Sequence, residues 1–401
     1  MKNNTAVFVG MVVVTALVAI VLIIFGIPYF LNFSLPAPQN TGFGSETVPA
    51  RIVQIVDQGT VNLGGTVQPY QVLNVQVLQG TYKGQNVQVN YGKDQIQPEG
   101  ITYRVGDQIL VVAGQKPDGS LVASYADAVR SGPILLMLAL LVLALLAVAR
   151  WKGLRSLIAL AFSFVVVAFY IIPHILQGED PVRVSILGSM ILLVVTLYVT
   201  YGWNLKTHAA VLSLAIVLGL TGLFAWLFIR VAFLTGSGDE SAVYLIQVPG
   251  ITVNLRGLLL GGMIIGALGV LDDLVITQAS AVFELHLADP GLKLGALYQR
   301  AYRIGQDHVA STVNTLVMAY TGVALPLLLL FTVESGNLGQ LVNISSVAEE
   351  IVRTLVGSLG LVAAVPVSTL IATALAVYSD RLGALRPYLG SEAGNEVHAH
   401  H

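Results

Sequence analysis

The chain has 401 residues, of which 55% are hydrophobic and only 10% are charged, and its net charge is −2. Soluble domains carry about 25% charged residues, so this composition indicates an integral membrane protein. The weakly negative charge argues against a nucleic-acid-binding protein. The absence of cysteine excludes disulfide bonds and thiolate metal sites.

Eight segments are apolar over enough residues to cross a bilayer, which takes about 20 residues of helix. They are residues 6–27, 132–150, 154–176, 183–202, 207–233, 255–284, 309–333 and 350–378. The first segment can also be read as a secretory signal peptide. Its apolar run is longer than such a peptide needs, however, and no clean small-residue cleavage site follows it. We therefore interpret residues 1–30 as a retained transmembrane anchor.

The positions of lysine and arginine predict the orientation, because short cytoplasmic loops are enriched in these residues. With the N-terminus in the cytoplasm, most loop cations fall inside: Arg150, Lys152, Arg155, Lys206, Lys293, Arg300, Arg303, Arg381 and Arg386. An even number of spans then returns the tail, residues 381–401, to the cytoplasm. The prediction is a multi-pass protein of the cytoplasmic membrane with both termini inside.

Residues 47–128 are polar by comparison and predict a separate domain outside the cytoplasm. Apolar and polar residues alternate in QVLNVQVLQGTYKGQNVQVNYG, where Gly80 and Gly84 bracket a turn, as expected for a hairpin. Short strands at this spacing are typical of a small OB- or SH3-like barrel. A nucleic-acid-binding OB-fold needs a basic, aromatic groove, which this segment lacks. We interpret the domain as a packing or partner-docking module.

The predicted fold is therefore a membrane all-α bundle of about eight transmembrane helices, with a small extracytoplasmic all-β domain between helices 1 and 2. Residues 131–380 form its seven-helix membrane domain. The lipid bilayer is the one partner that this architecture requires. A homo-oligomer or a second membrane protein is compatible with it.

The sixth span contains GALGVLDDLVITQASAVFEL, residues 266–285, with two aspartates in an apolar run. On a helix with about 100° per residue, seven residues of this span fall within about 40° of one line along the helix. The first three are glycines, and the other four are polar. This glycine–carboxylate stripe consists of Gly262, Gly266, Gly269, Asp273, Thr277, Ser280 and Glu284. The glycines predict close packing against another helix. The polar half predicts a pathway for a proton or a small ion.

Carboxylates inside a bilayer are costly and are usually retained for a function. We therefore predict that Asp273 faces the interior of the bundle as a titratable group. Asp272 points about 100° away on a helix and is interpreted as its accidental neighbour. The alternative is that neighbouring helices satisfy both aspartates, which then serve only in packing.

The seventh and eighth spans also carry polar residues. In RIGQDHVASTVNTLVMAYTGVALP one helix face holds Arg303, Asp307, Asn314 and Thr321. A buried asparagine needs hydrogen-bond partners in lipid, and the preceding span's carboxylates would provide them. In VAEEIVRTLVGSLG, Arg353 has the spacing to pair with Glu349 and with Glu350. We find no metal-ligand spacing and no nucleophile–base pair, so we predict no metal, no cofactor and no enzymatic activity.

The chain resembles the YibE/F-like family of multispanning membrane proteins from about residue 50 to 380. The most specific segments are DLVITQASAVFE and RIGQDHVASTVNTLVMAYTGVALP. In the family pattern an aspartate, two hydroxyls and a glutamate recur at the spacing of the stripe. Further family positions correspond to Gly305, Asp307, Asn314, Thr315, Tyr320 and Gly322, whereas Asp272 and Gln278 depart from the usual apolar types. The resemblance implies an architecture, adds Thr315 to the pathway residues, and implies no substrate.

A weaker similarity of pattern connects the chain to the SecD/SecF and RND-type permease core, where membrane carboxylates relay protons. Our first hypothesis is thus a proton- or cation-coupled permease with Asp273 as the coupling group. The second is a non-transporting envelope or assembly factor whose outer β-domain binds a protein partner. An intramembrane aspartyl hydrolase is disfavoured, because Asp272 and Asp273 diverge on one helix and cannot face one water molecule.

Overall fold

The computed structural model describes residues 46–95, 101–116, 119–335 and 338–392. The predicted first span, residues 6–27, and the last residues of the tail lie outside the described part. The described part of the chain divides into two compact units, the first ending at Ala147 and the second beginning at Val148.

The first unit contains a five-stranded antiparallel sheet, which confirms the predicted β-domain. Its strands are β1 Glu46–Leu63, β2 Thr66–Val77, β3 Asn86–Tyr91, β4 Gln108–Gln115 and β5 Leu121–Ala128. Their order in the sheet is β3-β2-β1-β4-β5. The ring of Tyr91 on β3 lies 4.8 Å from that of Tyr125 on β5, so the sheet curls until its two edge strands meet.

Strand alternation decides which side chains enter the core of this sheet. In β3, NVQVNY, exposed and buried residues alternate without exception. The buried positions of β1 and β2 meet in register, with Ile52 opposite Val75. The outer part of the β1–β2 hairpin was not predicted as strand. Its residues are mostly exposed, and without a buried face they show no apolar alternation.

Gln71 fastens the loop before β4 to the sheet. Its buried side chain donates to the Tyr103 carbonyl at 3.1 Å and accepts from the Tyr103 N–H at 2.9 Å. Burial also raises the pKa of the Tyr103 phenol, with the Tyr125 hydroxyl as a second cause. These contacts hold an irregular segment against the core without strand pairing.

Gln71→Leu is expected to destabilise the β-domain by about 2–6 kcal/mol, because it leaves two buried backbone groups unsatisfied at about 1–3 kcal/mol each. Hydrogen-exchange mass spectrometry on the full-length protein will show this as faster exchange around Tyr103. Gln76→Leu is the matched control. Its side chain lies on the same strand and is exposed, so a change below about 0.5 kcal/mol is expected there. Equal exchange in the two variants would contradict this role for Gln71.

The helices are α1 Ser131–Val166, α2 Ile172–Leu176, α3 Pro181–Tyr201, α4 Leu205–Val231, α5 Glu240–Leu245, α6 Leu255–Ala288, α7 Leu294–Ser335, α8 Leu338–Leu341 and α9 Ser345–Tyr378. A π-helical turn, Val167–Ile171, joins α1 to α2, and a 3₁₀ segment, Ser379–Tyr388, follows α9. Within the described residues, six helices are long and apolar enough to cross a membrane. The first of these runs from Ser131 to Leu176.

Helix α1 breaks at Arg150, whose backbone is non-helical with φ 47° and ψ −121°. A positive φ is uncommon for a residue with a side chain. The break falls at the last residue of the first of two segments predicted as separate spans, residues 132–150 and 154–176.

The core of the second unit lies between α4, α6 and α9, each of which contacts the other two. Helix α7 packs on α9 and α6, and α3 packs on α6 and α4. Asparagine and aspartate side chains begin three of these helices by accepting a backbone N–H in the first turn: Asp180, Asn204 and Asn254. The capping residues explain where the apolar runs become helical.

Small residues mark the places where these helices cross. Gly261 of α6 lies against Ser185 of α3, and Gly360 of α9 lies against Thr221 of α4. A Cβ at either glycine would overlap the facing hydroxyl oxygen. The two glycines therefore allow a close approach of these helix pairs, as small residues do in membranes.

Candidate functional site

The structure places the glycine–carboxylate stripe on the outer face of α6. Asp273, Thr277 and Glu284 are exposed, and Ser280 is partly exposed. The prediction that Asp273 faces the interior of the bundle is therefore wrong for the described helices. The sequence aligned these residues correctly with one another but assigned the face to the wrong side.

The glycines of the stripe do not pack as predicted. No described atom lies within 4 Å of where a Cβ would stand on Gly262 or Gly269, and Gly266 has only the Tyr320 hydroxyl, at 3.3 Å. The close approach falls on Gly261, which lies about 100° round the helix from Gly262. A pattern of glycines shows that one line along a helix lacks side chains. It does not show which such line packs against a neighbouring helix.

Asp272 is the carboxylate that the bundle partly encloses. Its Oδ1 is buried and has no hydrogen-bond partner among the described residues. Tyr201, at the end of α3, lies close enough to interact electrostatically with Asp272 and with Asp273. Asp272 therefore occupies the inner side of the pair, where the prediction had placed Asp273.

The candidate residues of α7 also face outward. Asp307, Asn314 and Thr315 are exposed. The Thr315 hydroxyl donates to the Ser311 carbonyl at 3.0 Å, whereas no described residue forms a hydrogen bond or ion pair with Asp307 or Asn314.

The predicted pairing of Asn314 with the α6 carboxylates is thus absent among the described residues. Helix α7 meets α6 through Ala301 and Gly305, which are buried. Asp307 and Asn314 lie on the opposite side of α7, because helical positions two or nine residues from Gly305 point about 180–200° away.

Gln278 is a polar residue whose role the sequence did not reveal. Its buried side chain donates to the Ala301 carbonyl at 2.8 Å and to the Thr369 hydroxyl at 2.7 Å. These two bonds join α6 to α7 and to α9. A Cβ on Gly305 would stand 2.7 Å from the Gln278 Oε1, which explains a glycine at that position. The sequence did contain a signal for this role, a single amide side chain among apolar residues of the helix, because a buried amide needs hydrogen-bond partners.

The acidic pair at the start of α9 separates into two roles. Arg353 donates to Glu350 at 2.8 Å, as predicted. The predicted pairing of Glu349 with Arg353 is wrong: Glu349 is buried and accepts instead from the backbone N–H groups of Gly236, at 3.0 Å, and Gly238, at 3.2 Å. Spacing along the sequence can identify an ion pair within one helix. It cannot identify a contact with a loop more than a hundred residues away.

A family model described as YibE/F-like protein matches residues 137–377. This range covers more than half of the chain and runs from α1 nearly to the end of α9. The chain belongs to the YibE/F-like protein family. No curated protein and no solved structure matches the chain.

The YibE/F-like match contains every candidate site residue: the stripe, its outward-facing counterparts on α7, Gln278 and Glu349. The β-domain lies outside the matched range. The family therefore defines the membrane part of this protein, and its polar residues belong to that part.

Proposed function

We propose that this YibE/F-like protein is a membrane permease driven by protons or cations, with Asp273 as the coupling carboxylate. In this proposal the protein has eight spans. The helical stretch from Ser131 to Leu176 has 46 residues. At 1.5 Å per residue it measures about 69 Å, roughly twice the hydrocarbon core of a bilayer. Because this stretch breaks at Arg150, we count it as two spans. Five further described helices are long and apolar enough to cross the membrane, and residues 6–27 add one more.

The observation that carries the proposal is a row of exposed polar side chains on a helix predicted to span the membrane. Asp273 is exposed near the middle of its predicted span and forms no hydrogen bond or ion pair with a described residue. Placing such a group in hydrocarbon costs about 3 kcal/mol or more, so a carboxylate there needs water or a partner group. Water at this position would make the stripe a pathway, and that is the alternative we propose.

The stripe also has a direction. Thr277 and Ser280 lie between Asp273 and Glu284, which is about 16 Å further along the axis at 1.5 Å per residue. With the N-terminus in the cytoplasm, Glu284 is at the cytoplasmic edge. Carboxylates and hydroxyls linked by water would carry protons or a small cation from the membrane centre to that side.

Asp273→Asn is expected to abolish proton entry into proteoliposomes. The measurement uses a trapped pH-sensitive dye, an imposed pH gradient, and potassium with valinomycin to hold the membrane potential. An amide keeps the size of the side chain but cannot exchange a proton, so influx should fall to the level of protein-free liposomes. Glu240→Gln, at an exposed position in α5, should keep the influx of the unsubstituted protein.

Two outcomes of the flux measurement would overturn the proposal. One is unchanged influx in Asp273→Asn. The other is an unsubstituted protein that admits no more protons than empty liposomes. That second outcome would favour an envelope or assembly factor instead.

One observation supports that second candidate. The β1–β2 hairpin extends beyond the β-core and exposes Val56 and Val67. A groove of about 350 Å³ beside it is lined by Gln58, Tyr70, Tyr91 and neighbouring residues. Exposed apolar strands with adjacent polar groups are suited to docking a protein.

A further inference from the structure

The outer part of the β1–β2 hairpin is a two-stranded ribbon that extends past the neighbouring strands of the sheet. Strand β4 pairs with β1 only as far as Arg51, and two further backbone bonds join Ile52 to the loop before β4. Beyond that point, no described residue pairs with this edge of β1. The ribbon therefore has an edge whose backbone groups are free to bond to another strand.

The register of the ribbon shows which residues turn their backbone groups to that edge. Both residues of the turn Gly64–Gly65 have a positive φ, 59° and 92°, as in the type I′ turn of a two-residue hairpin. The pair of residues that closes such a turn is hydrogen-bonded. Bonded and non-bonded pairs alternate along an antiparallel ladder, so the backbone groups of Gln58, Thr60 and Asn62 point away from β2. Each of these residues presents one N–H and one C=O at the edge.

The opposite edge of the ribbon, on β2, is blocked at Pro69. This residue lies opposite Thr60, so it too faces outward, and a proline has no N–H to donate. A Cβ on Gly92 would stand 2.6 Å from the Pro69 carbonyl oxygen. The Gln68 side chain donates to the carbonyls of Gly92 and Gln95, at 2.6 and 2.7 Å, and fastens this segment beside β2. Another strand therefore has a continuous row of backbone partners only along β1.

The open edge also lacks the residues that commonly protect one. Exposed strand edges of native proteins are blunted by charged side chains or by proline. Residues 58–63, QGTVNL, contain neither. This stretch is thus suited to pairing with an uncharged strand.

The groove at the base of the ribbon adds a side-chain preference to this edge. It has a volume of about 350 Å³, and its lining includes Gln58, Thr60, Tyr91 and Ile101. Directly opposite residues of an antiparallel pair place their side chains on the same face of the sheet. A strand residue opposite Gln58 or Thr60 therefore has its side chain at the groove. The tyrosine and isoleucine of the lining are suited to a large apolar group.

We propose that the β1 edge binds an extended, uncharged segment of another protein, with one large apolar side chain in the groove. Backbone bonds to an added strand supply affinity, and a pocket for an alternate side chain supplies selectivity. A second copy of this chain fits less well. Paired about Thr60 across a two-fold axis, it would bring only its own Thr60 and Asn62 to the groove, and both side chains are polar. The inference goes beyond the proposed transport and does not depend on it.

Binding of a labelled heptapeptide tests the edge. The probe is Thr-Val-Thr-Phe-Thr-Val-Thr with a fluorescent group, and its anisotropy is measured with the full-length protein in nanodiscs, against empty nanodiscs. Successive strand residues face opposite sides, so phenylalanine and both valines share the face that meets the three edge residues. Replacing the phenylalanine by alanine should weaken binding about tenfold or more. N-methylation of the phenylalanine should also weaken it, because a backbone donor is lost.

Two proline substitutions separate the edges of the ribbon. Thr60→Pro removes an outward N–H from β1 and should weaken peptide binding about tenfold or more. Val67→Pro is the matched control, because Val67 is exposed, lies opposite Asn62 and turns its own N–H outward from β2. It should bind the peptide as the unsubstituted protein does. Equal binding by the two variants, or no binding by the unsubstituted protein, would overturn the proposal.

The absence of cysteine from the sequence allows a test of the competing occupant. Thr60→Cys in membranes, treated with copper phenanthroline, should stay monomeric on non-reducing gels. A disulfide-linked dimer would show that a second copy pairs through this edge, and the proposal would then be wrong. None of these measurements depends on proton influx, so docking and transport can fail separately.

Discussion

Gly261→Ala is expected to lower the free energy of unfolding of the membrane domain by about 1–3 kcal/mol, the usual effect of overpacking a tight contact. The added Cβ would overlap the Ser185 hydroxyl oxygen and stand 3.2 Å from the Pro181 carbonyl oxygen. Ser185 is itself buried, so its side chain has little room to turn away, and the Pro181 oxygen belongs to the backbone of α3. The two helices must separate to admit the methyl group.

Thermal unfolding in detergent, followed by circular dichroism, will measure this change. Gly219→Ala is the control, because it makes the same substitution in a helix where nothing described lies within 4 Å. Alanine has the higher helix propensity by about 1 kcal/mol, so the control should leave the melting temperature unchanged or raise it. A loss of equal size in both variants would show that Gly261 is not a packing contact.

Glu349→Ala is expected to release the loop before α5 and to destabilise the protein by about 2–3 kcal/mol. The backbone N–H groups of Gly236 and Gly238 lose their acceptor, at about 1–3 kcal/mol each for a buried group. Relief from burying a carboxylate offsets part of this loss. Glu349→Gln keeps one acceptor oxygen without the charge, so it should lie between alanine and the natural residue.

Hydrogen exchange localises the effect of Glu349. The amides of Gly236 and Gly238 should exchange faster in Glu349→Ala, with a lower melting temperature. Glu240→Ala removes an exposed carboxylate from the helix that follows the same loop, and a change below about 0.5 kcal/mol is expected. Unchanged exchange at the two glycines in Glu349→Ala would refute the loop contact.

Predictions from the sequence were strongest where one periodicity decides the structure. The alternation in NVQVNY places β3 in the sheet and its valines in the core, since successive strand residues face opposite sides. The Glu350–Arg353 pair was also accessible, because helical neighbours three residues apart must lie on one face.

Predictions failed where a contact joins distant parts of the chain. The Gln278 bonds to α7 and α9, and the Glu349 contact with a loop, depend on partners that no local pattern identifies. The β1–β2 extension was missed for a related reason, because a hairpin that buries neither face shows no apolar alternation.

The sequence by itself determined that this protein spans a membrane, where its apolar helices lie, and that polar residues of α6 share one line. Backbone groups in lipid must be satisfied within the helix, so a long apolar run leaves almost no other structure. Only the tertiary structure decided which line of α6 meets its neighbours. That choice depends on how Gly261 fits Ser185 across a helix crossing, and it turns Asp272 inward and Asp273 outward.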